Sequence, residues 1–280
     1  MNQGDALKKL QGVELDILKA FASFCDENNL TWFLDSGSVL GAIRHKGFIP
    51  WDDDIDVGML RKDYDRFLDL AGKQFVEGYS VHTADNTQGF AGMFAKIYKD
   101  GTLFDTAETL DAGLRQGIFI DVFPYDYLAS SKITQLRQRF GAKIWQSISY
   151  LMHSSHIVVP HKGILGAIEV RLCRCAHFAA KKLFSSEMVT RRFLTAVRCD
   201  SNASSRLLPF AWPNIEGIPE TTLVPVSHVE FEGLLFPCPA KAIEYLEQMY
   251  GDWKVIPTPE DQKTHMPLLI VFDDGTYWKS

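Results

Sequence analysis

Asp52, Asp53, Asp54 and Asp56 put four carboxylates into five residues of this 280-residue chain. They close a stretch, 32–57, that reads WFLDSGSVLGAIRHKGFIPWDDDIDV. Ile55 and Val57 alternate with Asp54 and Asp56. Successive side chains on a strand face opposite ways, so the two carboxylates share a face while the apolar pair enters a core. Carboxylates that close repel unless a cation lies between them. Hard oxygen ligands on a rigid strand suit Mg2+ or Mn2+, above all where phosphates complete the shell. Upstream, Ser36, Gly37 and Ser38 form a small-residue turn before a helix start, which offers backbone N–H groups to a phosphate. One segment thus carries the parts for phosphoryl transfer. Asp-Ile-Asp alone fits an acidic surface turn equally well; the turn upstream favours the metal reading.

Elements must hold these side chains in place. Leu7, Leu10, Ile17, Phe21 and Phe24 fall near helical spacing, which predicts a scaffold helix over 5–28 capped by Asp5. Strands are expected at 31–34 and 54–59, then a helix at 61–71 with Tyr64, Phe67, Leu68 and Ala71 inward. Further strands are expected at 79–84, 93–98 and 117–123, with 102–111 polar and irregular. A carboxylate at Asp121, between Ile120 and Val122, is costly without a partner. Either backbone donors or an arginine satisfy it, or it belongs to the metal site. Asp126 reads as a turn or cap residue. Later come a helix over 164–184, a hairpin over 229–236 turning at Glu232-Gly233, and a helix over 239–250 stopped by Gly251.

Composition narrows the class. Apolar content of 46% with 12% aromatics fits a globular protein. The start, MNQGDALKKL, lacks the apolar run of a secretory signal, and no stretch is long and apolar enough to span a bilayer. Five irregularly spaced cysteines predict free thiols in a reducing cytoplasm, with Cys173 and Cys175 as apolar thiols on a helix. The net charge of −6 is unevenly spread: 130–206 holds 13 basic and 3 acidic side chains, a net +10, which leaves −16 elsewhere. One face is then made for anions and another for cations. The basic helix over 164–184 reads equally as a packed helix with a solvated face or as a membrane-surface element. His153, His156 and His161 match no metal-ligand spacing and are expected at the surface or near substrate.

The run SGSVLGAIRHKGFIPWDDDIDV resembles the signature of the LicD family. That family takes in bacterial phosphocholine transferases and, more distantly, the fukutin-related proteins, within the DNA polymerase beta-like nucleotidyltransferase superfamily. GIFIDVFP at 117–124 and Tyr250-Gly251-Asp252 extend the resemblance over most of the chain. It implies an α+β fold: a nucleotidyltransferase-like small mixed sheet flanked by helices, with a basic, mainly helical insertion. The expected division is a catalytic core at 1–129, the insertion at 130–206 for acceptor or membrane surface, and 207–280 completing the core. The implied activity is transfer of a phosphorylated alcohol, phosphocholine first, from a CDP-activated donor to a glycan or glycolipid of lipopolysaccharide, teichoic acid or capsule. In such a site Asp54, Asp56 and Asp121 would hold Mg2+ or Mn2+, and one of them or Asp52 would take the acceptor's proton. Ser36, Gly37 and Ser38 would hold phosphate oxygens, Arg44 would clamp them, and Trp51 would face a choline head group. No nucleic acid is expected as partner, and the expected place is the cytoplasm, peripheral at the inner membrane face. Two alternatives stay open: a nucleotidyltransferase moving a nucleoside monophosphate, and a non-catalytic glycan binder. Asp121→Asn is expected to relieve repulsion and keep or raise the stability of the metal-free protein.

Overall fold

The computed structural model describes residues 1–154, 163–199, 203–262, 264 and 266–280, with backbone alone at 163–170, 172 and 173. His156, His161, Lys263, His265 and the Cys173 side chain lie outside the described residues. The first half runs α1 (Gln3–Glu27), β1 (Phe33–Leu34), α2 (Ser36–His45), β2 (Asp56–Leu60), α3 (Arg61–Ala71), β3 (Tyr79–His82), β4 (Ala95–Lys99), β5 (Leu103–Asp105), α4 (Ala107–Ala112) and β6 (Phe119–Ala129). Three helices follow, α5 (Lys132–His153), α6 (Gly163–Leu183) and α7 (Ser186–Val197). The chain then returns through β7 (Ala203–Pro209), β8 (Ile218–Pro219), α8 (Glu220–Leu223), β9 (Ser227–Phe231), β10 (Leu234–Cys238), α9 (Ala242–Tyr250), β11 (Leu269–Val271) and β12 (Tyr277–Lys279).

The main sheet is mixed and has seven strands, ordered β1-β2-β6-β4-β3, with β7 on β6 and β8 on β7. β2 and β6 are its parallel pair; the other pairings are antiparallel. Helices flank this sheet, as an α+β layout requires. Ile55, Val57, Ile118, Ile120 and Val122 are fully buried, so the expected inward face is realised. The opposite face keeps space for aromatic rings. A Cβ on Gly58 would lie 2.4 Å from the Phe33 ring and 2.9 Å from that of Tyr125, so only glycine lets both rings close over β2.

α1 buries Ala6, Leu10, Glu14, Ile17, Leu18, Phe21, Phe24 and Cys25. Its cap is Asn2, whose side chain accepts from the Asp5 amide, and not Asp5 itself. α3 has the expected bounds, and β9–β10 turns at Glu232-Gly233 with both φ values positive, 51° and 75°. Residues 102–111 are regular, contrary to expectation. β5 pairs with β11, more than 160 residues away in sequence, and Thr106 with Thr109 forms a capping box for α4. Asp126 is no cap either. It lies within β6 and takes a two-point ion pair from Arg61, Nε to Oδ1 at 2.9 Å and Nη2 to Oδ2 at 2.6 Å. On α6, Cys175, Ala176, Ala179 and Leu183 are exposed and Ala180 is buried. Among the described residues no helix is long and apolar enough to cross a membrane.

Candidate active site

β1 hands the chain to α2 at Asp35, and this corner fixes Asp56 from both sides. The Asp35 amide donates to the Asp56 carbonyl at 2.9 Å, and the Asp56 amide donates to Ser38 Oγ at 2.9 Å. Asp35 is fully buried and caps α2, accepting from the Ser36 amide at 2.8 Å and from the hydroxyls of Tyr125, at 2.8 Å, and Tyr245. Burial raises its pKa against those donors. Ser36 is held at φ 45°, a region a residue with a Cβ rarely enters, so some backbone strain is stored where helix meets acids.

The Ser-Gly-Ser turn is therefore partly used by the protein itself. The Ser36 amide donates to the Asp35 carboxylate and the Tyr245 hydroxyl, the Ser38 amide donates to the Asp35 carbonyl, and Ser38 Oγ accepts from the Asp56 amide. Among the described residues the Gly37 amide has no such partner. A Cβ there would lie 3.0 Å from Asp52 Oδ2, so the helix start abuts the acids. Arg44 ties α2 to the C-terminal segment: Nη1 donates to the Trp253 carbonyl at 3.0 Å, and Nε contacts His45 Nε2 at 2.9 Å. Trp51 is half-buried and stands edge-on to His45 at 6.3 Å.

Asp121 arrives on β6, and the strand registers do the positioning. Asp56 pairs with Asp121 across the parallel ladder, and Asp121 pairs with Lys96 across the next. Register partners stand on one face of a sheet. A row Asp56, Asp121, Lys96 thus crosses β2, β6 and β4. Lys96 Nζ sits 2.6 Å from Asp121 Oδ1 and 3.2 Å from the centre of the Phe119 ring. This pair opposes the relief of repulsion expected of Asp121→Asn, because neutralising the acid would leave a half-buried ammonium without its partner.

The charges explain the electrostatics. Burial, then Asp54 and Asp53, push Asp52 up to about 7. Burial, then Asp54 and Asp121, hold Asp56 well above the usual carboxylate range. Asp121 is pushed up to about 6 by burial, with Lys96 pulling down and Asp54 pushing up. Two groups not named among the expected site residues share this field. Glu14 of α1 is buried and raised well above its ordinary value, first by burial, then by Asp54, Asp53, Asp52 and Asp121. Tyr250, at the end of α9, is raised by burial and then by Asp56, Asp35, Asp52 and Asp54. Gln11 Nε2 further ties α1 to the Asp52 carbonyl at 2.9 Å. Glu14 was detectable: it sits four residues after Leu10 and three before Ile17, in the apolar stripe of its helix. Lys96 was detectable too, as a cation inside an apolar strand.

Among the described residues no three carboxylate, imidazole or thiol groups stand close enough to cage a metal unaided. The donors still fit a hard divalent cation, which takes one or two carboxylates and draws its other ligands from water and phosphate. Excess negative charge around Asp52, Asp54 and Asp56 is what such a cation would neutralise. Beyond Lys96 a cavity of about 510 Å3 opens, lined by Phe90, Phe94, Leu114, Tyr150 and Leu151.

Comparison with known proteins shows what the chain is similar to. The family model described as LicD/FKTN/FKRP, nucleotidyltransferase domain, matches residues 29–155, which hold every aspartate of the row. A lipopolysaccharide cholinephosphotransferase LicD of Haemophilus influenzae is 31% identical over 271 residues, 92% of this chain and 95% of that protein. An uncharacterized protein of Rickettsia prowazekii is 40% identical over 65 residues, 23% of this chain and 24% of its own length.

Proposed function

The chain belongs to the LicD family and is a phosphotransferase; on that premise we propose that it moves phosphocholine from CDP-choline to a sugar of lipopolysaccharide. Teichoic acid and capsular glycans are the alternate acceptors. The observation that carries the reading is the acid row of β2 and β6 set against the start of α2. In this reading Asp54 and Asp56, with Asp121 beside them, would hold Mg2+ or Mn2+, which would supply positive charge against the negative charge developing on the leaving CMP. The Gly37 amide and the positive end of α2 receive a phosphate oxygen. Asp52, with its pKa near neutrality, accepts the proton of the attacking sugar hydroxyl. That oxygen bonds to the phosphorus bearing choline, and the bond to the bridging oxygen breaks. Trp51 offers an aromatic face for the quaternary ammonium, and Lys96 keeps Asp121 oriented until donor arrives.

The alternative is attack on the other phosphorus, as expected of an ordinary nucleotidyltransferase. Incubation with CDP-choline, Mg2+ and, in turn, lipopolysaccharide, teichoic acid and capsular glycan separates the two. Release of CMP with choline phosphate on the glycan supports the proposal. Release of phosphocholine with CMP on the glycan contradicts it, as does no turnover with any of the three acceptors.

A further inference from the structure

We propose that the outward face of α5 docks the enzyme on an anionic lipid surface. Ile133, Leu136, Phe140 and Ile144 are 66%, 67%, 68% and 39% exposed. Their spacing of three and four residues places them in one stripe along the helix. Single exposed apolar residues are ordinary, but an aligned row of large ones marks a contact surface. The stripe is not a core face left without a partner. α5 already has a packed side, where Gln138, Ala142, Ser149 and Met152 are buried. There Gln138 bonds the Ala129 amide and the Tyr127 and Val197 carbonyls, which anchors the helix to β6 and α7.

Charge selects the occupant. Lys132, Arg137 and Lys143 are exposed beside the stripe, and α5 contains no acidic residue. Arg174, Lys181 and Lys182 of α6, with Phe178 and Leu183, are exposed as well, as are Arg191 and Arg192 of α7. Apolar side chains framed by lysine and arginine are the pattern of a helix lying in a lipid interface, where anionic headgroups meet the cations. A second copy of the same face would set cation against cation. Through Tyr150 and Leu151 the last turns of α5, beyond the stripe, line the cavity beside Lys96. This docking adds to the proposed transfer and does not depend on it.

Flotation with vesicles tests it without donor or acceptor. The full chain should bind vesicles of phosphatidylglycerol in phosphatidylcholine, weakly or not at all those of phosphatidylcholine alone, and less as salt rises. Leu136→Ser with Phe140→Ser, both exposed, should weaken binding about tenfold or more at unchanged melting temperature. Lys132→Glu with Arg137→Glu and Lys143→Glu should do the same. Ile133→Ser alone serves if the double variant melts early. Failure of the parent to bind anionic vesicles overturns the proposal, and so does parental binding by the serine variants. A dimer in sedimentation that the serine variants dissolve, without vesicle binding, would assign the face to a second copy instead. None of these outcomes bears on CMP release, so docking and transfer stand or fall separately.

Discussion

Glu14 is the side chain with the clearest signature in solution. Its pKa in the folded state lies above the glutamate value, so between those two values the folded chain binds more protons than the unfolded one. Stability is then fullest below about pH 4 and falls as pH rises toward the folded-state pKa. Glu14→Gln keeps the shape and removes the charge. Without metal, the variant should melt higher than the parent at pH 8 and equal it at pH 4. Equal melting at pH 8 would place Glu14 outside the acid field. Asp121 and Lys96 form the second residue-scale test. Asp121→Asn leaves the half-buried Lys96 ammonium without its partner and Lys96→Met leaves the buried Asp121 carboxyl without its cation, each at a cost of about 1–3 kcal/mol. The double variant should lose less than the two singles together, with a coupling of about 1–3 kcal/mol in metal-free denaturant unfolding. Additive losses would mean that the ion pair does not hold Asp121.

At the scale of elements, the corner β1–α2–β2 holds the acids, and Gly58 lets it close. Gly58→Ala would drive a methyl group into the Phe33 and Tyr125 rings. Tyr125 donates to Asp35, so the overpacking reaches the cap of α2. A loss of about 1–3 kcal/mol is expected by denaturant unfolding, with weaker donor binding. Unchanged stability would show that the rings are free to move aside. Part of this corner was legible in the sequence: the alternation of Asp54, Ile55, Asp56 and Val57 is local and, read with the small residues upstream, predicts the buried Ile55 and Val57. The hairpin turn at Glu232-Gly233 and the bounds of α3 were legible for the same reason. Pairing of β5 with β11 was not, since hydrogen bonds between 103–105 and 269–271 leave no trace in either segment. Asp126 was misread because its partner, Arg61, is 65 residues away. That Ser38 Oγ accepts from the Asp56 amide was not legible either, since the two are 18 residues apart.

Over the whole molecule the two charge signs are kept apart. The acids gather on the sheet beside α2, while the excess of cations lies on α5, α6 and α7. A chain of ion pairs joins the two regions: Asp126 to Arg61, Arg61 to Asp65 at 3.6 Å, and Asp65 to Arg198 at 2.7 Å. On the proposed reading, the acids would hold a cation for the anionic donor and the basic side would meet an anionic acceptor. Central to this picture is that Asp56 carries catalysis. The most direct measurement is the initial rate of CMP release from CDP-choline, with lipopolysaccharide and Mg2+ present, for the parent and for Asp56→Asn. Loss of a charge that serves the transition state is expected to cost about 3 kcal/mol, a fall of about 100-fold, with the folded fraction unchanged. A rate within about twofold of the parent, which is under 0.5 kcal/mol, would contradict the assignment and move the chemistry away from the acid row.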